Sequence, residues 1–184
     1  SREKIKGYMD KRKADDDARK EKAKKQHVDD QRERMLGAAQ GALTRMITAA
    51  DKAKGNIAVK DHRHFRNAKT EVASLERNVK LVQSTTRRAW RDSEGDQRKW
   101  ADKLFVYAET IEEHLKKYVL DEMPDDEHDS DWSSKSSKVQ GGLKSLRTTC
   151  GYLLDAIDDF IKTGNHASPS SHHTPTTGPP TPAS

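Results

Sequence analysis

Between Phe65 and Ala89 the apolar positions fall into two sets, Phe65, Val72, Val79 and Thr86 in one and Ala68, Leu75, Val82 and Ala89 in the other. Within each set the members lie seven residues apart. Interleaved, the sets repeat every three or four residues and trace one stripe down one face of a helix. The remaining positions are mostly Arg, Lys, Glu, Asn and Ser. A helix divided in this way is stable only when its stripe is buried against other helices.

The rest of the chain supplies three further stripes. Met35, Leu36, Ala39, Leu43, Met46, Ile47 and Ala50 mark a helix over about residues 28–54, narrowed by Gly37, Ala38, Ala42 and Ala49. Gly55-Asn56 is the predicted stop, because both residues tolerate the left-handed conformation that ends helices. Ile57 and Val59 in the following linker are placed to tuck against the bundle. Asp61 is the predicted N-cap of the Phe65–Ala89 helix, which should end near Trp90. A capping-box pattern, Ser93 and Asp96, opens the next stripe of Trp100, Leu104, Tyr107, Ile111, His114, Leu115 and Tyr118. Met123-Pro124 stops it. The last stripe, Val139, Leu143, Leu146, Cys150, Leu153, Ile157 and Phe160, spans about residues 136–163. Gly141-Gly142 and Gly151 weaken that helix, and Gly164-Asn165 ends it.

These elements predict an all-α fold, an antiparallel three- or four-helix bundle over residues 35–163, with residues 121–131 as an acidic hinge. The fourth helix is either a fourth wall or a separate arm. Ahead of the bundle, residues 1–34 are dense in charge and poor in large apolar groups. Asp15 and Arg19, Asp16 and Lys20, and Glu21 and Lys25 are acid-before-base pairs at helical spacing, each supporting a helix by roughly 0.2–0.5 kcal/mol. A long solvated helix is predicted there, frayed at its start and able to run on into the next. Residues 164–184, mostly Ser, Thr, Pro, Gly and His, are expected to be disordered.

Composition narrows the function classes. Hydrophobic content is 32% and charged content 35%, poor for a compact α/β enzyme and ordinary for long amphipathic helices. The single cysteine, Cys150, excludes an internal disulfide and a multi-cysteine zinc site. No apolar run approaches the roughly 18 residues that span a bilayer, and no signal-peptide core opens the chain. Of the net charge of +5, residues 1–34 carry +4, from thirteen Lys/Arg against nine Asp/Glu. Such an arm suits nucleic acid, anionic lipid or an acidic protein face, or else pairs its charges within itself. Self-association, with residues 1–60 as the coiled-coil end of a larger assembly, is a further option.

Candidate chemistry is sparse. His62 and His64 form an H-x-H pair, but two ligands make no site, so they read as solvated residues near a cap. His172-His173 read as part of a flexible tail, His114 as a packing residue at the core edge and Cys150 as a small buried hydrophobe. The alternation of Asp125, Glu127, Asp129 and Asp131 suggests a calcium loop, but Ser130 and Ser136 stand where the EF-hand needs Gly and Glu. Ser130, Ser133 and Ser134 beside the acids, and Thr174-Pro175 and Thr181-Pro182, are candidate phosphorylation sites. There is no Gly-rich phosphate loop and no Ser-His-Asp arrangement. No catalytic residue, cofactor, metal or small-molecule substrate is therefore expected. The informative cluster is basic: Arg87, Arg88, Arg91, Arg98 and Lys99 lie near Trp90 and Trp100 at the junction of the second and third stripes. The cluster reads either as a solvated helix end with anchored aromatics or as a contact for nucleic acid, phosphorylated lipid or a partner protein. Arg87, Arg88, Trp90, Arg91 and Arg98 are the predicted partner-binding residues, because a basic, Trp-bearing helix end exceeds what bundle packing requires.

Three patches resemble a known family. "MLGAAQGALTRMI" (Met35 to Ile47), "VASLERNVKLVQ" (Val72 to Gln83) and "GDQRKWADKLFVYAETIEEHLKK" are similar to the first, second and third helices of the N-terminal three-helix domain of syntaxin-type SNARE proteins of the Golgi and endosome. The resemblance covers residues 35–120. It implies a regulatory or adaptor-binding bundle at the cytosolic face of those membranes, which binds trafficking proteins and performs no catalysis. No segment reads as a SNARE motif. The expectation is a non-enzymatic protein–protein interaction module in vesicle trafficking. The alternative is a nucleic-acid-binding or coiled-coil scaffold protein that uses residues 1–34.

Overall fold

The computed structural model describes residues 1–167. Four long helices account for nearly all of it, and no strand occurs among the described residues. They are α1 (Arg2–Ile57), α2 (His62–Arg91), α3 (Gly95–His114) and α4 (Trp132–Lys162). Each packs on its neighbours in sequence, and α4 closes the ring against α1. The cross-helix pairs fix the directions. Arg45 meets Asn78 across a four-residue connection, Arg87 meets Glu109 and Trp90 meets Asp102, Tyr107 meets Tyr152 and Tyr118 meets Gly142, and Asp51 meets Arg147 and Ile57 meets Ser136, so every neighbouring pair is antiparallel. The chain is thus a four-walled up-down bundle, and the fourth helix is a wall of the core.

The apolar stripes account for the interior. All eight positions of the α2 stripe are buried, as are all seven of the α4 stripe. In α1 the buried face is Leu36, Ala39, Ala42, Leu43, Met46, Ala49, Ala50, Ala53 and Ile57. Its alanines bring α2 close, while Met35 and Ile47 sit half-buried at the edge of the seam. Fully burying one Leu- or Ile-sized side chain contributes about 1.5–3 kcal/mol, so this shared interior is the main source of stability.

Several boundaries differ from those predicted. The segment 1–34 runs on into the next helix, the option its pattern left open, so α1 is unbroken from Arg2 to Ile57. Gly55-Asn56 does not stop the helix. Ile57, fully buried, anchors one more turn, and its carbonyl accepts a bond from Ser136 Oγ at 2.8 Å. Val59 is exposed. Asp61 does cap α2, accepting from the His64 N–H at 2.8 Å. Ser93 and Asp96 form no capping box. Ser93 Oγ instead donates back to the Ala89 carbonyl at 2.6 Å. The tight turn into α3 is made by Gly95 at φ 54°, a left-handed conformation that glycine adopts without strain. The start of α4 lies one turn ahead of Ser136, because Trp132 is buried edge-on against Phe65 with ring centroids 5.7 Å apart.

The third helix ends in a wider, π-helical turn, Leu115–Leu120, in which the Asp121 N–H reaches the Lys116 carbonyl five residues back at 2.9 Å. A turn of this width shifts which residues face inward. Val119 is buried in the place expected for Tyr118, and Tyr118 is half exposed. Opposite this turn lies Gly142. A side chain there would meet the Tyr118 backbone, with a Cβ only 2.8 Å from the carbonyl carbon. The glycine that weakens α4 as a helix is what allows α4 to lie against the π turn.

Residues 164–167 belong to the folded unit. Gly164–His166 form a short 3-10 turn in which Gly164 and Asn165 are buried. The boundary expected at residue 164 is therefore too early. The rest of the expected tail, with His172-His173, Thr174-Pro175 and Thr181-Pro182, lies outside the described residues.

Cys150 is 1% exposed on the α4 stripe, and burial pushes its thiol up to about 12. Arg147, one turn before it, points away to pair with Asp51 at 2.9 Å. Only the thiolate is nucleophilic. At pH 8 the native chain should therefore react with a maleimide at least about a hundredfold more slowly than the chain in denaturant, as read by mass spectrometry over time. Equal rates would mean that this face of α4 opens freely.

Candidate functional site

The predicted basic rim forms where α2 hands over to α3. Its tryptophan is held on three sides. Arg98 stacks its guanidinium over the Trp90 ring at 4.0 Å, Trp90 Nε1 donates to Asp102 at 2.5 Å, and Phe105 lies 5.6 Å away. Arg87 pairs with Glu109 at 3.3 Å. A guanidinium over an indole face adds about 0.5–1 kcal/mol at an exposed site. Three of the five predicted residues, Arg87, Trp90 and Arg98, are thus already engaged in joining α2 to α3. Arg88, more than half exposed, lies 3.9 Å from Asp92, and Arg91 is exposed in the last turn of α2. These two present their charge outward.

Beneath the rim lies a buried polar cluster that the sequence pattern does not single out. Arg32 of α1 is 2% exposed. Its Nη1 donates to Asp29 Oδ1 at 2.9 Å and to Asn165 Oδ1 at 2.6 Å. Its Nη2 donates to the Asp92 carbonyl at 2.8 Å. Asn165 Nδ2 donates to the Asp29 carbonyl at 3.3 Å, and the Asn165 carbonyl accepts from Gln97 Nε2 at 3.1 Å. Asp29 and Arg32 sit among twenty other charged residues of the first 34, and their three-residue spacing is shared by solvated pairs nearby. Their sole distinguishing signal is position, two turns and one turn before the first core residue, Leu36.

The cluster marks where α1 leaves the bundle. From Arg2 to Val28 every residue is exposed, whereas Asp29 is buried. At 1.5 Å per residue this free portion is about 40 Å long. It carries eleven Lys/Arg and six Asp/Glu. Near its tip Ile5, Tyr8 and Met9 are each more than half exposed. Charges along it pair locally, Arg19 with Asp16 at 2.6 Å and Lys24 with Glu21 at 3.6 Å.

The acidic segment is compact. Asp129 accepts from the backbone N–H groups of Asp125 and Asp131 at 2.9 and 2.8 Å and from Lys135 Nζ at 2.9 Å. Those donors, the Asp125 N–H foremost, hold its carboxyl down at about 2. Where the sequence reads as an acidic hinge, the structure has a loop folded around one aspartate. His62 bonds Glu127 of this loop at 3.2 Å, and His64 turns onto its own cap, Asp61, at 2.8 Å. His114 is half-buried beside Tyr118, and desolvation lowers its pKa. Among the described residues no three His, Cys, Asp or Glu side chains converge as a metal site. Nor is any helix among them long and apolar enough to cross a membrane.

No protein-family model matches the chain, and neither the search of curated proteins nor that of solved structures finds a match. The likeness of residues 35–120 to the syntaxin-type domain therefore rests on the three quoted patches alone.

Proposed function

We propose that this chain is a non-enzymatic protein–protein interaction module, a helical bundle of regulatory or adaptor type that holds out a basic helical arm. The observation that carries this reading is the 27-residue stretch of α1, residues 2–28, that is exposed along its whole length. A helix that is mostly charged and packs on nothing draws its stability from weak local pairs, so a partner that covers it, Ile5, Tyr8 and Met9 included, adds most to its stability. The Arg32 bond to the Asp92 carbonyl sets the root of the arm beside the corner that follows Arg88 and Arg91. Arm and rim both carry an excess of positive charge that suits an acidic protein face. The syntaxin-like patches support a setting in vesicle trafficking, at the cytosolic face of Golgi or endosomal membranes.

The second reading, a nucleic-acid or anionic-lipid contact through the same arm, is favoured by its excess of five positive charges, eleven against six. Two full-chain variants separate these readings: Lys11→Glu with Arg12→Glu and Lys13→Glu in the arm, and Arg88→Glu with Arg91→Glu on the rim. Captured proteins are quantified from lysate with and without nuclease. Each variant should lose several-fold in partner yield at unchanged melting temperature. Capture that both variants leave intact would remove this surface. Capture that vanishes with nuclease, together with a titration on duplex DNA or RNA whose affinity falls steeply with salt, would establish the second reading instead.

A further inference from the structure

Away from these surfaces, α3 and α4 leave a cavity of about 160 Å³ between them. One wall is Trp100 and Tyr107 of α3, seven residues apart and so on one helix face. The other is Tyr152 of α4, whose ring centroid lies 6.2 Å from that of Tyr107 at an interplanar angle of 42°. Ala156, one turn beyond Tyr152, lines the space with a single methyl group. Trp100 is seated by Gly164, where an added Cβ would come within 2.6 Å of the Trp100 Cβ. Asp155 and Asp159 stand at the mouth, both exposed, and neither is tied up in an ion pair among the described residues. Lys103 is the one cation of the lining.

Three aromatic rings and two exposed carboxylates around a small cavity make an environment for a cation. Aromatic faces attract positive charge through their quadrupole and also accept apolar surface. A bare ammonium entering such a space gives up strong hydration, whereas a methylated one exposes methyl groups to the rings and keeps its charge. Size agrees, because a cavity of about 150 Å³ holds a benzene-sized guest. The polarity of the mouth selects the carrier. A choline headgroup bears a phosphate a few bonds from its nitrogen, which two aspartates would repel. A lysine carries its nitrogen on a neutral four-carbon stem, and a basic peptide around it would be drawn to Asp155 and Asp159. We infer that the α3–α4 cavity is a binding site for a methylated lysine side chain of a partner protein. The site involves no residue of α1 and stands whether or not the arm of α1 is a contact surface.

The test uses the full chain and N-acetyl-trimethyllysine amide, with unmethylated N-acetyl-lysine amide, tetramethylammonium and phosphocholine as comparisons. Binding is read from the indole N–H resonances, with Trp90 and Trp132 as internal references. Trimethyllysine amide and tetramethylammonium should shift the Trp100 signal saturably, and the unmethylated amide should bind at least about tenfold more weakly. Asp155→Asn with Asp159→Asn, at exposed positions that leave the core intact, should weaken trimethyllysine by about tenfold. Ala156→Leu should abolish binding by filling the space, and Lys103→Gln should strengthen it. Absence of a saturable shift at Trp100 with either methylated probe would overturn the proposal, as would equal binding of methylated and unmethylated lysine. Tighter binding of phosphocholine than of trimethyllysine would overturn the peptide as the source.

Discussion

Replacing Gly142 with alanine is expected to destabilise the bundle by about 1–3 kcal/mol, although alanine is the better helix former by about 0.8–1.0 kcal/mol. The added methyl group has nowhere to go. Its carbon would lie 2.8 Å from the carbonyl carbon of Tyr118 and closer still to the oxygen, and these are backbone atoms that cannot rotate away. Relief requires either α4 to lift from the π turn or the π turn to rewind, and each disturbs buried neighbours, Leu143 on one side and Val119 on the other. The residue next to it provides the control. A Cβ at Gly141 meets nothing within 4 Å, so Gly141→Ala should stabilise by about 0.5–1 kcal/mol through propensity alone. The two adjacent substitutions should thus move the melting temperature in opposite directions, with a shift of about 2–4 °C for each kcal/mol in a chain of this size. Thermal unfolding followed by circular dichroism decides the matter. A Gly142→Ala variant as stable as Gly141→Ala would mean that the close approach of α4 to Tyr118 is not a feature of the folded protein.

The contrast between these glycines also shows where the sequence is legible. Both read as weak points in a helix, and periodicity treats them alike. What separates them is the neighbour across the interface, which no local pattern contains. The same division runs through the molecule. The α2 and α4 stripes are read residue by residue, because a straight helix keeps one face inward for its whole length. The α3 stripe places Leu104, Tyr107, Ile111 and Leu115 in the core, leaves Trp100 and His114 half-buried at its edge, and fails at Tyr118, because the π turn changes the period. Gly55-Asn56 misleads because Ile57, beyond it, is worth burying, and tertiary packing outweighs a local stop signal. At the basic rim the charges and the tryptophan are visible in the sequence. That Arg98 stacks on Trp90 while Arg88 and Arg91 face outward is decided by the angle at which α3 returns along α2. The aromatic cavity divides similarly. Trp100 and Tyr107 belong to a stripe that reads as core, and only the pairing with Tyr152 and Ala156 on α4 opens a space between them.

Substituting Arg32 should cost more than any other change at a charged position. Arg32→Ala is expected to destabilise by about 3–5 kcal/mol, the range for removing one partner of a buried ion pair. The guanidinium serves three acceptors on three parts of the chain: Asp29 on its own helix, the carbonyl of Asp92 between α2 and α3, and Asn165 after α4. Without it the Asp29 carboxylate is left in a site where it is only 11% exposed, with no cation to offset its lost hydration. Arg32→Lys should recover little, because one ammonium on a flexible stem cannot reproduce the planar fork that reaches all three acceptors. Arg32→Met combined with Asp29→Leu should recover only part of the loss, since it removes the orphaned charge but leaves Asn165 Oδ1 and the Asp92 carbonyl without their donor. Urea denaturation of the three variants, with exposed Arg34→Ala as the control within about 0.5 kcal/mol of the parent, measures each step. A loss below about 1 kcal/mol for Arg32→Ala, within the range of an exposed pair, would show that the cluster is hydrated in solution. The expected loss has a consequence for the arm. The cluster is where α1 passes from packed to free helix, so the orientation in which residues 2–28 meet a partner is set by the same guanidinium that closes this end of the bundle. Among the variants that remain folded, those at Arg32 should therefore also weaken partner capture, although Arg32 itself is buried and cannot touch the partner.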